Sequence, residues 1–173
     1  YCDSYFDGEH LSLKPGEKLS QALDVGAMRA EFTGFNWGLP IQFCLTEALM
    51  HAKPEDCFGM LMLYGVDIKA YGDTEKLVLG EYWRIMDAFG TANSTFYPCW
   101  SDELPVRISG TEMFCAVWEK DDRMLVLAVN LGDEPAQAEL HSSVPVQEIR
   151  WHSCEGNSLI FTAQPRELYF IEL

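Results

Sequence analysis

Basic residues are scarce in this sequence. Its 173 residues include 12 Lys and Arg against 27 Asp and Glu, which gives a formal net charge of −15. Nucleic-acid binding depends on clustered Lys and Arg that displace counterions, so this class of function is excluded. The same acidity disfavours an anionic membrane surface. No apolar run approaches the roughly 18–20 residues that span a bilayer.

The signature motifs of several enzyme classes are missing as well. The sequence has no G-x-S-x-G elbow, no phosphate-binding P-loop and no G-x-G-x-x-G, so serine-hydrolase, nucleotide and dinucleotide chemistry have no support. It has no C-x-x-C, and its four histidines form no set with metal-ligand spacing. We therefore predict neither a metal nor a cofactor.

The six cysteines are scattered singly, mostly inside apolar runs. This spacing indicates free, buried thiols rather than a disulfide framework. Unpaired thiols slightly favour a cytoplasmic location. The first residues lack a Met and read as a strand that is already under way, so we expect the chain to be a segment of a longer protein. A secreted or periplasmic location stays open, because a signal peptide would precede such a segment.

The first part of the chain, residues 1–105, alternates strand-like and helix-like patterns. Apolar residues recur at helical spacing from Leu19 to Ala30, and Pro, Gly and Thr residues mark the ends of further helices. The pattern predicts strands at 1–6 and 94–100 and helices at 18–33, 54–64 and 75–89. Residues 39–45 fit either a strand or the start of a helix.

The second part, residues 106–173, has short apolar runs separated by turn residues at intervals of roughly 8–12 residues, which is typical of an antiparallel β-sandwich or barrel. Residues 113–118 and 124–131 flank a charged turn and predict a hairpin with apolar residues on both faces. The expected core includes Phe114, Ala116, Leu125, Leu127, Val129, Ile149 and Phe170.

The order of several short motifs resembles that of a known enzyme family. The motifs are Asp7-Gly8-Glu9 after a strand, Arg29-x-Glu31-x-Thr33-Gly34, Gly38-Leu39-Pro40, Leu63-Tyr64-Gly65, Trp83-Arg84-Ile85-Met86-Asp87-Ala88-Phe89-Gly90, Phe96-Tyr97-x-x-Trp100-Ser101-Asp102 and the strand that ends Asn130-Leu131-Gly132. Together they resemble the C-terminal part of a bacterial glycoside-hydrolase-like family that is similar to glycoside hydrolase family 123.

The resemblance implies an α/β part followed by an all-β part. Residues 1–105 would be the last units of a (β/α)₈ catalytic barrel, and residues 106–173 a C-terminal antiparallel β-sandwich. A complete barrel needs about 250 residues, so the barrel segment is expected to be incomplete. The remaining strands would come from a preceding portion of the protein or from an oligomeric partner.

Glycoside hydrolysis usually needs two carboxyl groups across the scissile bond, placed in a barrel at the C-terminal ends of strands. Under the resemblance, Asp7 and Glu9 lie where the first strand ends, with Glu31 as a third candidate. Tyr5 beside Asp7 would form part of the substrate-binding wall. The same residues also fit a plain acidic turn, and Glu31 fits an ion pair with Arg29 on a helix surface.

Aromatic residues near predicted strand ends and loops are candidate sugar contacts, because sugars stack their C–H groups on aromatic faces. Tyr97 and Trp100, with Asp102, follow the predicted strand 94–100, and Trp37 lies in a Gly- and Pro-containing loop. Trp100 also fits a core position between two domains, and Trp37 a loop anchor.

These features predict a carbohydrate-active, glycoside-hydrolase-like segment whose ligand is a carbohydrate and whose catalysis requires the full barrel. The fragment by itself is expected to be inactive. A non-catalytic structural or sugar-binding module is the alternative from a different class.

Overall fold

The computed structural model describes residues 4–8, 11, 13, 14, 17–33, 39–45, 54–70, 72–142, 154–155 and 158–173. The chain divides into two units, Tyr1–Tyr82 (unit 1) and Trp83–Leu173 (unit 2). The predicted boundary near residues 105–106 lies inside unit 2 and stays a prediction.

Unit 1 alternates strands and helices. Its elements are β1 (Tyr5–Asp7), α1 (Leu19–Ala22), α2 (Val25–Ala27) continued by a π-helical turn (Met28–Phe32), β2 (Ile41–Leu45), α3 (Pro54–Leu63) and β3 (Asp67–Ala70). The described strands form a parallel sheet in the order β1-β2-β3. Residues 39–45, which fit either a strand or a helix, therefore contain a strand.

The predicted helix at 18–33 is interrupted. Leu23 adopts an extended conformation after α1, and the carboxylate of Asp24 then accepts a hydrogen bond from the Ala27 amide at 2.9 Å. An aspartate side chain that satisfies an amide in the first turn starts a new helix. The apolar period alone did not reveal this second start.

One face of the parallel sheet is apolar and covered. Ile41, Phe43, Leu45 and Ile68 are buried on it, and the ring of Phe32 lies 5.1 Å from that of Phe43. Because side chains alternate between the faces of a strand, the residues between them point to the opposite face. The π-helical turn that carries Phe32 thus packs against the sheet on the Phe43 side.

The helix α4 (Asp73–Phe89) confirms the helix predicted at 75–89, and α3 confirms the one at 54–64. Gly90 ends α4 with a φ of +90°, and its amide donates to the Met86 carbonyl at 2.9 Å. This left-handed glycine is a common way for a helix to end. A short 3₁₀ helix (Thr91–Asn93) leads to β4 (Thr95–Tyr97), which is shorter than the strand predicted at 94–100.

Unit 2 is mostly antiparallel sheet. Its further strands are β5 (Val106–Ser109), β6 (Met113–Lys120), β7 (Arg123–Asn130), β8 (Ala136–Ser142), β9 (Cys154–Glu155), β10 (Ser158–Ala163) and β11 (Leu168–Glu172). Together with β4 they form, among the described residues, two four-stranded sheets in the orders β11-β7-β6-β4 and β5-β8-β10-β9. The predicted hairpin is confirmed, because β6 and β7 pair from Met113↔Asn130 to Lys120↔Arg123.

Side chains of both antiparallel sheets share one core, the inter-sheet core. Its buried members are Val106, Met113, Cys115, Val117, Met124, Val126, Ala128, Ala136, Ala138, Leu140, Leu159, Phe161, Ala163, Tyr169, Ile171 and Leu173. The burial of apolar area on both sheets is what holds them together.

The predicted core residues belong to the sheet β11-β7-β6-β4, on the face that points away from the inter-sheet core. Ala116, Leu125, Leu127, Val129 and Phe170 are buried there, and the register places them opposite one another across β6, β7 and β11. The prediction for Phe114 is wrong, because 40% of its surface is exposed. Ile149 lies outside the described residues.

The buried titratable groups of unit 2 make its stability sensitive to alkaline pH. Burial, with the nearby charge of Cys99, raises the pKa of Cys115 from 9.0 to about 12. Burial and a hydrogen bond to Glu167 raise the pKa of Tyr169 from 10.0 to about 12. The folded state thus keeps protons that the unfolded chain loses.

We expect stability to be complete below pH 9 and to fall between about pH 9 and 12, by at most about 1.4 kcal/mol per pH unit for each group. Urea unfolding at pH 8 and pH 11 measures the effect. Tyr169→Phe and Cys115→Val should each make the pH dependence shallower. A wild-type slope that neither substitution reduces would contradict the assignment.

Candidate functional site

Asp7 ends strand β1 and is held there by a glycine turn. Its carboxylate accepts a hydrogen bond from the Gly8 amide at 2.7 Å. Gly8 has a φ of +86°, and a Cβ at this position would lie 2.8 Å from the ring of Phe43. Only glycine fits both constraints without strain. The turn that directs Asp7 is therefore fixed by the packing of β2.

Tyr5 and Asp7 are brought together by the strand. They lie two residues apart and hence on the same face. Desolvation, and then the negative charge of Asp7, raise the pKa of the Tyr5 hydroxyl. Asp7 pairs in register with Phe43, so this pair belongs to the face on which Phe43 and Phe32 pack.

The remaining predicted site residues of unit 1 are Glu31, Glu9 and Trp37. Glu31 is exposed in the π-helical turn that follows α2. Glu9 and Trp37 lie outside the described residues.

The opposite face of the parallel sheet carries a polar cluster that sequence reasoning missed. We call Phe6, Gln42, Asp67 and Lys69 the polar face. Phe6 pairs in register with Gln42, and Gln42 with Asp67, so their side chains share one side of the sheet. The Gln42 amide nitrogen donates to an Asp67 carboxylate oxygen at 2.8 Å.

An aromatic ring and a cation complete the polar face. The Lys69 ammonium lies 5.1 Å from the centre of the Phe6 ring, a distance at which the cation and the ring attract each other. Half of the Phe6 surface stays exposed, and Asp67 and Lys69 are exposed too. Cys44, on the same face, is fully buried, and Gln42 is partly buried.

The polar face has the chemistry to bind an uncharged polyhydroxyl compound. Asp67 accepts hydrogen bonds, Lys69 donates them and Gln42 does both. Phe6 offers an apolar surface next to these groups. The signal in the sequence was the alternation of polar and apolar residues in 41–43 and 67–70, but only the register shows that the polar positions meet.

Of the predicted site residues of unit 2, Tyr97 ends β4, and Trp100 and Asp102 lie in turns after it. Tyr97 donates its hydroxyl proton to Glu119 at 2.8 Å, and this hydrogen bond is the largest of the causes that raise its pKa. Tyr97 also packs against the inter-sheet core. It is thereby anchored, with its hydroxyl already engaged.

Trp100 and Asp102 lie at the surface of unit 2. The Ser101 amide donates to the Pro98 carbonyl at 2.9 Å and closes a turn around Trp100. Trp100 is 38% exposed, and Asp102 is exposed. These residues belong to a different unit from Tyr5, Asp7 and Glu31.

Unit 2 also contains a small cavity of about 80 Å³ next to Phe89, Arg123 and Phe170. Arg123 lies over the Phe89 ring and pairs with Glu172. Ligand sites commonly measure about 300–1,000 Å³, so this cavity is too small to hold a sugar.

Within the described part of the chain, no group of three or more His, Cys, Asp and Glu side chains is arranged to hold a metal ion. No described helix is both long and apolar enough to cross a membrane.

Comparison with known proteins gives one distant likeness. No family model matches the chain, and no curated protein matches it. Among solved structures, the apo exo-carrageenase GH42 from Bacteroides ovatus is similar over 98% of this chain, with 9% sequence identity and a TM-score of 0.32. The chain spans about a fifth (21%) of the length of that glycoside hydrolase.

Proposed function

We propose that this chain is a carbohydrate-binding segment of a glycoside-hydrolase-like protein. Residues 1–105 would belong to a (β/α) barrel and residues 106–173 to a C-terminal β-sandwich. The motif order in the sequence supports this proposal. So do the parallel strands alternating with helices in unit 1 and the two antiparallel sheets on one core in unit 2.

The observation that carries the proposal is the polar face. An exposed aromatic ring, a carboxylate, an amide and an ammonium group lie on one side of a parallel sheet. A sugar ring has apolar C–H groups on its faces and hydroxyl groups around its edge. It would stack on Phe6 while its hydroxyls exchange hydrogen bonds with Gln42, Asp67 and Lys69.

Asp7 is the candidate for chemistry, at a separate position: it ends β1 on the face of the sheet opposite the polar face, so it would act on a sugar unit at the strand end and not on one stacked on Phe6. In a barrel, catalytic carboxylates stand at the C-terminal ends of parallel strands, and Asp7 ends β1. Hydrolysis needs a second carboxyl group, at about 5–5.5 Å for a retaining enzyme or about 6.5–9.5 Å for an inverting one. Glu9 and Glu31 are proposed for that role, with Tyr5 as part of the surrounding wall.

Catalysis by this chain alone is not expected. The sheet has three parallel strands among the described residues, whereas a closed barrel has eight. A displacement of about 1 Å between reacting groups can lower the rate about 10²-fold. An incomplete wall also admits water, which weakens electrostatic tuning of the carboxyl groups.

The alternative is a non-catalytic module that binds sugar or supports another domain. The specific observation in its favour is the anchored hydroxyl of Tyr97. A residue whose hydroxyl is held in this way contributes to the fold of unit 2 rather than to chemistry.

A combined screen tests the proposal. The purified chain is mixed with a panel of soluble oligosaccharides, with binding followed by NMR, and with aryl-glycosides, with turnover followed by absorbance. We expect weak binding of at least one neutral sugar and no turnover. Absence of binding across the panel would refute the proposed function. Turnover that Asp7→Asn abolishes would instead show that the site is catalytically complete in this chain.

A further inference from the structure

The turn after β1 contains the one Asp-Gly pair of the sequence, Asp7-Gly8. The register of β1 with β2 ends at Asp7↔Phe43, and the Gly8 amide donates to the carboxylate of the preceding Asp7 at 2.7 Å. A main-chain nitrogen is thereby held in contact with the carboxyl group of the residue before it. The carbon that bears the accepting oxygen, Cγ of Asp7, lies next to this nitrogen.

Gly8 leaves this contact uncrowded. It has no Cβ to shield its nitrogen, and its φ of +86° belongs to a region that other residues rarely adopt. Asp67 provides the contrast within the same sheet, because its carboxylate accepts from the Ile68 amide at 2.9 Å. Ile68 is buried, and its branched Cβ is stiff and lies beside the nitrogen. The two sites share the hydrogen bond and differ in the residue that follows the aspartate.

We propose that Asp7-Gly8 is a site of spontaneous covalent modification, at which Asp7 is converted to isoaspartate through a cyclic imide. The conversion takes place in the folded chain because the turn already holds the two reacting groups together. The proposal goes beyond the proposed function and does not depend on it.

The reaction balances with water alone. The Gly8 nitrogen gives up its proton and bonds to Cγ of the protonated Asp7 carboxyl group, and one carboxyl oxygen leaves as water. The product is a five-membered imide that contains both carbonyl carbons of residue 7. Water then adds back: breaking the bond from nitrogen to Cγ restores aspartate, whereas breaking the bond from nitrogen to the main-chain carbonyl carbon leaves isoaspartate.

Isoaspartate changes the main chain at the end of β1. The chain then runs through Cβ and Cγ of residue 7 and is one carbon longer, and the carboxylate is attached directly to Cα. Gly8 packs so closely on Phe43 that an added Cβ would lie 2.8 Å from its ring. The extra carbon therefore has to displace Gly8 from this ring, and the modified chain should unfold at a lower urea concentration.

A protease that cleaves before aspartate but not before isoaspartate gives the readout. The folded chain is kept in warm, mildly acidic buffer, which protonates carboxyl groups, and is then digested and analysed by mass spectrometry. Modification of Asp7 should replace peptides 3–6 and 7–23 by the uncut peptide 3–23, whereas modification of Asp67 would produce peptide 56–72. We expect the first uncut peptide to accumulate at least about tenfold faster than the second, because only Asp7 is followed by glycine.

Two comparisons decide the assignment. In a chain kept unfolded in urea, peptide 3–23 should accumulate no faster than in the folded chain. Asp7→Asn should react faster than wild type, since ammonia then leaves in place of water, and its peptide should gain the mass difference between an amide and an acid. The proposal is overturned if the unfolded chain is modified at Asp7 while the folded chain is still cleaved completely before it. Equal rates at Asp7 and Asp67, or an unchanged peptide mass in Asp7→Asn, would overturn it too.

Discussion

Replacing Asn130 by Asp is expected to lower the free energy of unfolding by about 3–5 kcal/mol. Asn130 is fully buried at the end of β7. Its side-chain nitrogen donates to the carbonyls of Glu134 at 2.9 Å and Ala163 at 3.1 Å. Its side-chain oxygen accepts from the Gly132 amide at 2.8 Å. Donor and acceptor capacity are both used.

An aspartate at this position would replace two hydrogen-bond donors by a carboxylate oxygen that faces two carbonyl oxygens. The charge would be buried without a cation, which is among the most costly changes a core can undergo. The turn is also held from both sides, because the Leu131 amide donates to the Glu112 carbonyl and the Arg166 amide to the Asn130 carbonyl. The turn therefore has little freedom to move the new carboxylate away from the two carbonyl oxygens.

Urea unfolding at pH 7 measures this effect, with Asn93→Asp as the matched control. Asn93 is exposed in the 3₁₀ helix after α4, so its change should stay within about 0.5 kcal/mol. If the two variants proved equally stable, the hydrogen-bond account of the 130–133 turn would be wrong.

The elements most accessible to sequence reasoning were those with a strong period and clear end signals. The helix α4 has an apolar stripe and a following glycine, and the β6-β7 hairpin has two apolar runs around a charged turn. Local patterns of this kind decide the type of an element. They do not predict where an element is interrupted: the predicted helix at 18–33 ends after α1, and a new helix begins after Asp24.

The sequence did not allow us to predict which face of a strand packs against the second sheet. Strands β6 and β7 are apolar on both faces, and both faces are largely buried. Alternation then cannot tell which set of residues meets the second sheet, because a shift of one residue exchanges the faces. The sequence pointed to the set that includes Leu127, while the inter-sheet core uses the set that includes Val126 and Ala128.

In the candidate site, too, local signals in the sequence could be recognised, whereas the pairing of residues far apart in the chain could not be predicted. Asp7 was identifiable because a carboxylate after a strand and before a glycine marks a strand end. The polar face was not, since its residues are spread from position 6 to position 69 and meet only through the register of three strands. A single sequence contains no record of that register.

Replacing Phe6 by Ala is expected to weaken the binding of a neutral oligosaccharide about tenfold. Covering an aromatic side chain contributes roughly 1.5–3 kcal/mol, and about 1.4 kcal/mol corresponds to a factor of ten in the dissociation constant. Phe6 is half exposed before binding, so the lower end of this range applies. The loss of the ring also removes the contact that positions Lys69.

Ile160→Ala is the matched control, because Ile160 is likewise an exposed apolar residue on a strand, with 60% of its surface accessible. The deciding measurement is the dissociation constant of the best-binding sugar for the wild-type chain, Phe6→Ala and Ile160→Ala, each determined by NMR titration. The account predicts about a tenfold increase for Phe6→Ala and no change for Ile160→Ala. Equal affinity of wild type and Phe6→Ala would contradict the assignment of the polar face as the carbohydrate site.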